Sequence, residues 1–193
     1  RYRCDMQLAD AIPTFLSQPP QVHAAIRCLH GHLPYGLHTR LAGSPRFITL
    51  LRDPVERLVS QYRHCRRAPK NAASIGFPPE RTRTLDDYIE LELERGDMNF
   101  QTRLIGGFVN LDSPDPPYAP LPADALDVAM QNIEKHFVAA ASVSQFNAFV
   151  VYAGEQFGWK RLYYARRNVD YGNVARTPID EATRQRILDL NAV

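Results

Sequence analysis

The chain has 193 residues, of which 45% are hydrophobic and 23% are charged, a composition typical of a globular protein with one sizeable core. It contains no run of about 18 apolar residues that could form a membrane-spanning helix, and its three cysteines lack the short paired spacing of a disulfide framework or zinc cluster. The net charge is +2, but 20 of the 23 basic residues are arginine, whose planar fork matches phosphate, sulfate and carboxylate oxygens, so anionic ligands are expected.

Hydrophobic patterning predicts strands that alternate with helices along the chain. In the first half we predict a strand over 22–29 and a strand over 46–51, and the second of these should be interior to a parallel sheet because its residues leave no polar face. A helix over 54–66, a loop over 68–83 and a helix from Thr84 to about Arg95, with Asp87 in its first turn, should follow. In the second half we predict a short helix over 99–105 ended by Gly106 and Gly107, an irregular segment over 112–122 that holds five prolines, and a helix over 123–136. A strand over 137–141, a helix over 145–157 ended by Gly158, a strand over 161–165 and a helix over 178–190 capped by Thr177 should follow. This alternation predicts an α/β fold with a parallel sheet covered by helices on both faces, formed by residues 1–193 as a single domain.

The segment from Arg46 to Tyr62 is the most informative part of the sequence. It places Arg52 at the end of an apolar strand and begins a helix directly afterwards, with Asp53 as the N-cap and Pro54 at the first helical position. Open α/β sheets bind ligands at this edge, and helix amides and an arginine both favour an anion there. Ser60, two turns into the helix, can donate to the same anion. The alternative is that Asp53 is only a cap and Arg52 only a surface ion-pair partner.

This segment resembles the element with which sulfotransferases bind the 3′-phosphate of their donor, most closely that of the heparan sulfate 2-O- and 6-O-sulfotransferases and their bacterial relatives. The Leu-His-Gly-His sequence at 29–32 resembles the histidine-glycine-histidine that precedes the phosphate element in the 2-O enzymes. Residues 99–103 resemble a helix of the acceptor side, and 135–138 and 157–159 resemble a strand entry and a helix exit that follow. These similarities occur in the family's order along one chain.

The resemblance implies a three-layer α/β fold of the P-loop nucleotide-kinase type. It also implies transfer of a sulfuryl group from 3′-phosphoadenosine 5′-phosphosulfate to an acceptor hydroxyl, with adenosine 3′,5′-bisphosphate as the product and no metal. Arg52 and Ser60 are then donor ligands. The second histidine, His32, is the general base, a role suited to a side chain that titrates near neutral pH.

The acceptor side is less defined by sequence. Gln101 and Arg103 lie in the segment that resembles the acceptor helix. His30 is expected to contact substrate or to support His32, although either histidine alone could be an ordinary strand-end polar residue. The other four histidines, His23, His38, His64 and His136, have no partner spacing that indicates a site.

Two groups of basic residues have two possible roles each. Arg166 and Arg167 follow a predicted strand and are either donor-nucleotide ligands or surface charge. The second group lies at the end of the phosphate helix and either complements the helix dipole as solvated charge or binds an anionic polysaccharide. Its members are Arg63, Arg66, Arg67 and Lys70.

The family's phosphate-binding loop, with its Gly-Lys-Thr or Gly-Ser sequence, does not occur here. Either the chain begins after that loop or the protein cannot bind the donor normally. We expect the first, because residues 6–15 resemble the helix that leads away from the loop, and we also expect the chain to end before the family's carboxyl terminus. One alternative function is a nucleotide or small-molecule kinase, which predicts a Gly-x-x-x-x-Gly-Lys-Ser/Thr loop and a magnesium-binding aspartate that the sequence lacks. The other is a noncatalytic glycan-binding module.

The expected acceptor is an anionic or neutral carbohydrate or a small hydroxylated molecule, and not a nucleic acid. The expected location is the cytoplasm in a bacterium or the Golgi lumen in an animal, where relatives are membrane-associated. No oligomeric state follows from the sequence.

Overall fold

The structure, a computed structural model, describes residues 8–41, 43–113, 117–163 and 179–193. Backbone contacts divide the chain into two compact units. The first comprises the described residues up to Arg46, residues 93–136 and Val193, and the second comprises 47–92 and the described residues of 137–192. The helices of the described residues are α1 (Leu8–Leu16), α2 (Pro20–Ala24), α3 (Pro54–Arg67), α4 (Pro69–Ala73), α5 (Leu85–Glu94), α6 (Phe100–Gly106), α7 (Ala125–His136), α8 (Phe146–Phe157) and α9 (Glu181–Leu190).

Two parallel strands, β1 (Phe47–Leu51) and β2 (Phe137–Ser142), form the sheet of the second unit. Phe47 pairs with Phe137 and Leu51 pairs with Ser142, so both strands end at the same edge. The α/β class and the parallel pairing are therefore confirmed. Within the described residues β1 has one partner strand, and all five of its residues are half-buried. The predicted interior position of this strand, and the three layers, are not confirmed.

The core of the second unit lies between α3, α5 and α9. Leu58 of α3, Tyr88 and Ile89 of α5, and Ile187 of α9 are all fully buried. At the start of α5, the Thr84 hydroxyl accepts from the amide of Asp87 at 3.1 Å, and the Thr84 amide donates to the Asp87 carboxylate at 2.9 Å. This reciprocal cap confirms the predicted start of that helix.

In the first unit, α6 and α7 pack against each other through Ile105, Ala125 and Ala129, all of which are buried. Gly107 ends α6 in the left-handed conformation, as predicted. A Cβ at Gly107 would lie 3.0 Å from the Tyr35 carbonyl oxygen, so glycine also permits the close approach of these two segments.

Several predicted elements were wrong or shifted. The strand over 22–29 is absent, because Pro20 begins a short helix through residues with little β-branching and the chain is irregular after Ala24. The loop over 68–83 contains α4, begun by Pro69, and a 3₁₀ turn at Pro79–Arg81. Residues 161–163 form no strand, and 164–165 lie outside the described residues. The last helix begins at Glu181.

Asp180, and not the predicted Thr177, caps this last helix. Its Oδ1 accepts from the Thr183 amide at 2.8 Å. Thr177 and Pro178 lie outside the described residues. No helix in the part of the chain that the structure describes is long and apolar enough to cross a membrane.

Candidate functional site

The carboxyl end of β1 holds the residues expected to bind the donor. Arg52 follows the strand directly, and Asp53 then caps α3, its Oδ1 accepting from the Glu56 amide at 3.0 Å, with Pro54 at the first helical position. The side chain of Arg52 is 38% exposed, and its Nε lies 3.6 Å from the Glu56 carboxylate. Because the Glu56 side chain is 67% exposed, this ion pair contributes little energy.

Ser60 lies on α3, half-buried, on the turn that follows the buried residues Val55, Leu58 and Val59. Further hydroxyls lie at the same sheet edge. Ser142, at the end of β2, pairs in register with the residue before Arg52, and its hydroxyl is hydrogen-bonded to that of Ser144. Sequence reasoning missed this pair, because only the register of β1 with β2 brings it beside Arg52.

A buried polar network between α3 and α5 was also missed. The guanidinium of Arg57 donates to Glu92 Oε2 at 3.0 Å, and the hydroxyl of Tyr88 donates to Glu92 Oε1. The exposed fractions of the Arg57 and Glu92 side chains are 17% and 1%. Burial, together with the negative charge of Glu92, raises the pKa of Tyr88 well above its ordinary value. The four-residue spacing of Tyr88 and Glu92 on α5 was the only sequence signal for this network.

The two histidines of the Leu-His-Gly-His sequence lie in the first unit, on an irregular exposed segment between α2 and the turn at Leu37–Arg40. The ring of His32 meets the edge of Phe100, the first residue of α6, with 5.5 Å between ring centroids. Gln101 is the next residue of α6 and is half-buried. The structure thus brings His32 close to the helix that resembles the acceptor side.

Arg103 of the same helix is buried and structurally engaged. Its Nε donates to the Met98 carbonyl at 3.0 Å, its Nη1 donates to the Ala119 carbonyl at 2.7 Å, and its guanidinium lies 5.7 Å from the centroid of the Tyr118 ring. Burial lowers the pKa of Arg103, although an arginine stays protonated. These contacts give Arg103 a role in joining α6 to the segment before α7, and its substrate contact stays a prediction.

The remaining predicted site residues are basic. Arg63 is half-buried on α3, and Arg67, the last residue of that helix, is exposed. Their exposure fits either solvated charge or a polyanion contact. Arg166 and Arg167 lie outside the described residues.

A second histidine cluster lies in the first unit around Tyr35. The centroid of the Tyr35 ring is 5.0 Å from that of His38 and 5.4 Å from that of His136. Burial lowers the pKa of His38, and the charge of His136 lowers it further. Tyr35 is fixed by its amide, which donates to the Leu104 carbonyl at 2.6 Å. The two histidines are 98 positions apart in sequence, which is why their spacing carried no signal.

Within the described residues, no group of three or more His, Cys, Asp and Glu side chains is arranged to hold a metal ion. Comparisons with protein-family models, curated proteins and solved structures found no match for this chain. The case for a function therefore depends on the motifs and on the local geometry around them.

Proposed function

We propose that this protein is a sulfotransferase that uses 3′-phosphoadenosine 5′-phosphosulfate as donor and a hydroxyl group, most simply that of a carbohydrate, as acceptor. The observation that carries the proposal is the Arg52-Asp53-Pro54 arrangement at the carboxyl end of β1. There a capped helix begins directly after an arginine that stands at the end of a parallel strand. The order of motifs that resembles the heparan sulfate 2-O- and 6-O-sulfotransferases supports the same conclusion.

In this proposal the 3′-phosphate of the donor binds at the start of α3. The positive end of the helix dipole favours the anion. The amides of the first turn contribute little, because Pro54 has no amide proton and the Glu56 and Arg57 amides donate to Asp53. Arg52 adds charge-assisted hydrogen bonds, and the Ser60 hydroxyl donates another. The portion of the donor bound in this way is also the leaving group, because it departs as adenosine 3′,5′-bisphosphate when the sulfuryl group is transferred.

The transfer step needs a base and an in-line attack. His32 accepts the proton of the acceptor hydroxyl as its oxygen forms a bond to sulfur, and the bond from sulfur to the 5′-phosphate oxygen breaks. The electron pair of that bond leaves with the phosphate. An imidazole is suited to this step because its pKa lies near neutral pH. The contact of His32 with Phe100 is compatible with an acceptor bound near α6.

Calorimetric titration with adenosine 3′,5′-bisphosphate tests the proposal. Charge-assisted hydrogen bonds are worth about 1.5 to 3 kcal/mol, so Arg52→Ala should weaken binding at least about tenfold. Arg184→Ala, which removes an exposed arginine of α9, is the matched control and should bind normally. Unchanged affinity of Arg52→Ala would remove the donor-site assignment. Preferential binding of magnesium-ATP by the unmodified protein would instead favour a kinase.

A further inference from the structure

The helix that carries Ser60 is tied to α5 by a buried ion pair. Arg57 lies one turn before Ser60 on α3, and its guanidinium donates to Glu92 Oε2 at 3.0 Å. Because the Glu92 side chain is only 1% exposed, its charge needs both Arg57 and the second donor, Tyr88. Rotation of α3 by one residue, about 100° around its axis, would separate this pair and leave a buried carboxylate without its cation.

A second set of contacts fixes the same helix one to two turns later. The hydroxyl of Tyr62 donates to the Arg83 carbonyl at 3.1 Å, just before α5 begins. The ring of Tyr62 lies 5.9 Å from that of Tyr88, and Tyr88 stacks on Phe77 at 5.3 Å. Tyr88 thus contacts α3 through its ring and supports the Arg57 ion pair through its hydroxyl.

We propose that the Arg57–Glu92–Tyr88 network positions α3 for donor binding, so that these three residues are positioning residues of the sulfotransferase. The inference rests on the proposed function. It assigns Arg57 to the protein interior and not to the bound anion, although Arg57 lies within one turn of Ser60. It also makes donor affinity depend on two α5 side chains that the sequence motif does not include.

The experiment measures binding of adenosine 3′,5′-bisphosphate by calorimetry for two network variants. Tyr88→Phe removes one hydroxyl and keeps the ion pair, and Glu92→Gln removes the charge that holds Arg57. Arg186→Met is the matched control, because Arg186 also pairs with acidic residues of α5, Asp86 and Glu90, but lies on α9. Each protein is measured well below its melting temperature, so that loss of folded protein does not enter the comparison.

We expect binding to weaken about fivefold in Glu92→Gln and about threefold in Tyr88→Phe, with the control unchanged. The effect of each change on affinity should also depend on whether Ser60 is present, which double variants with Ser60→Ala would measure. Once the serine hydroxyl is gone, the network variants should cost clearly less affinity, because part of their effect is the misplacement of that hydroxyl.

Four results would overturn the inference. Tighter binding by Glu92→Gln would show that the released Arg57 is itself an anion ligand. If the losses of affinity in the network variants add fully to the loss in Ser60→Ala, or if Arg186→Met loses affinity equally, the network contributes only to general stability. The donor-site proposal would then stay intact. Absence of binding by the unmodified protein would refute the proposed function and this inference together.

Discussion

Replacing Asp53 with alanine tests whether the start of α3 is ordered by its cap. The capping bond, from the Glu56 amide to Asp53 Oδ1, is 3.0 Å long and exposed to solvent. Loss of such a cap costs about 1 kcal/mol, within a range of about 0.5 to 2. For a chain of this length, each kcal/mol corresponds to about 2 to 4 °C in Tm. We therefore expect Asp53→Ala to lower Tm by a few degrees, measured by circular dichroism with urea unfolding as a second measure.

The chain supplies a matched control in α9, where Asp180 accepts from the Thr183 amide at 2.8 Å. Asp180→Ala should also destabilise the fold. This hydrogen bond lowers the pKa of Asp180, so the carboxylate stabilises the fold above about pH 3.9 and loses its effect as pH falls through the lower folded pKa. The difference between Asp180→Ala and the unmodified protein should therefore shrink in acid.

The two caps should differ in ligand binding. Asp53→Ala should weaken binding of adenosine 3′,5′-bisphosphate because a frayed first turn no longer holds the positive end of the α3 dipole at the anion, whereas Asp180→Ala should bind normally. Alanine also removes a negative charge beside the anion, and Asp53→Asn, which keeps a capping oxygen, measures that opposing effect separately. If Asp53→Ala is as stable as the unmodified protein, or if both caps affect binding equally, the reasoning about the start of α3 is refuted.

Two further predictions concern histidines of the first unit. His32→Ala should lower the rate of labelled sulfate transfer to polysaccharide and small hydroxylated acceptors about 10²- to 10⁴-fold, while binding of the donor product stays unchanged. If the variant keeps more than about a tenth of the activity, His32 is not the general base, and His30 is the next candidate. Because charge on His136 lowers the pKa of His38, His136→Gln should shift the NMR titration of His38 upward, but not to the ordinary value of about 6.5, since burial is the larger cause. Because the pKa of His38 is lower in the folded state, the free energy of unfolding should decrease as pH drops through about 6.5. If the titration of His38 is the same in His136→Gln as in the unmodified protein, the interaction between the two histidines is contradicted.

Local signals allowed the helices with clear caps to be predicted. Asp53 with Pro54, Thr84 with Asp87, and Gly158 each fixed a helix end through a local backbone or side-chain interaction, and each was confirmed. The prediction of a strand over 22–29 was wrong because the local sequence signals there fit either a strand or a helix. Residues 22–29 are apolar enough for a strand, yet Pro20 at a helical N-terminus starts a helix there.

The candidate site was predicted only where it is continuous in sequence. Arg52 and Ser60 lie on one strand-helix unit, so the segment alone placed them. The Arg57–Glu92 pair, 35 residues apart, depends on how α3 packs on α5, and no periodicity encodes that contact. The same is true of Ser142, which only the parallel register brings to the edge where Arg52 lies.

The arginine-rich composition first indicated an anionic ligand, but the structure weakens that argument. Arginines of the described residues are used within the protein itself: Arg57 pairs with a buried glutamate, Arg95 with Asp97 at 2.6 Å, and Arg103 with backbone carbonyls. A surplus of arginine is therefore compatible with structural use and does not by itself indicate a ligand. Position is the better criterion. Arg52 differs from these arginines because it stands at the end of a parallel strand, directly before a capped helix start. The case for a bound anion therefore rests on this one residue and its surroundings, and the Arg52→Ala titration is the measurement on which the proposed function depends.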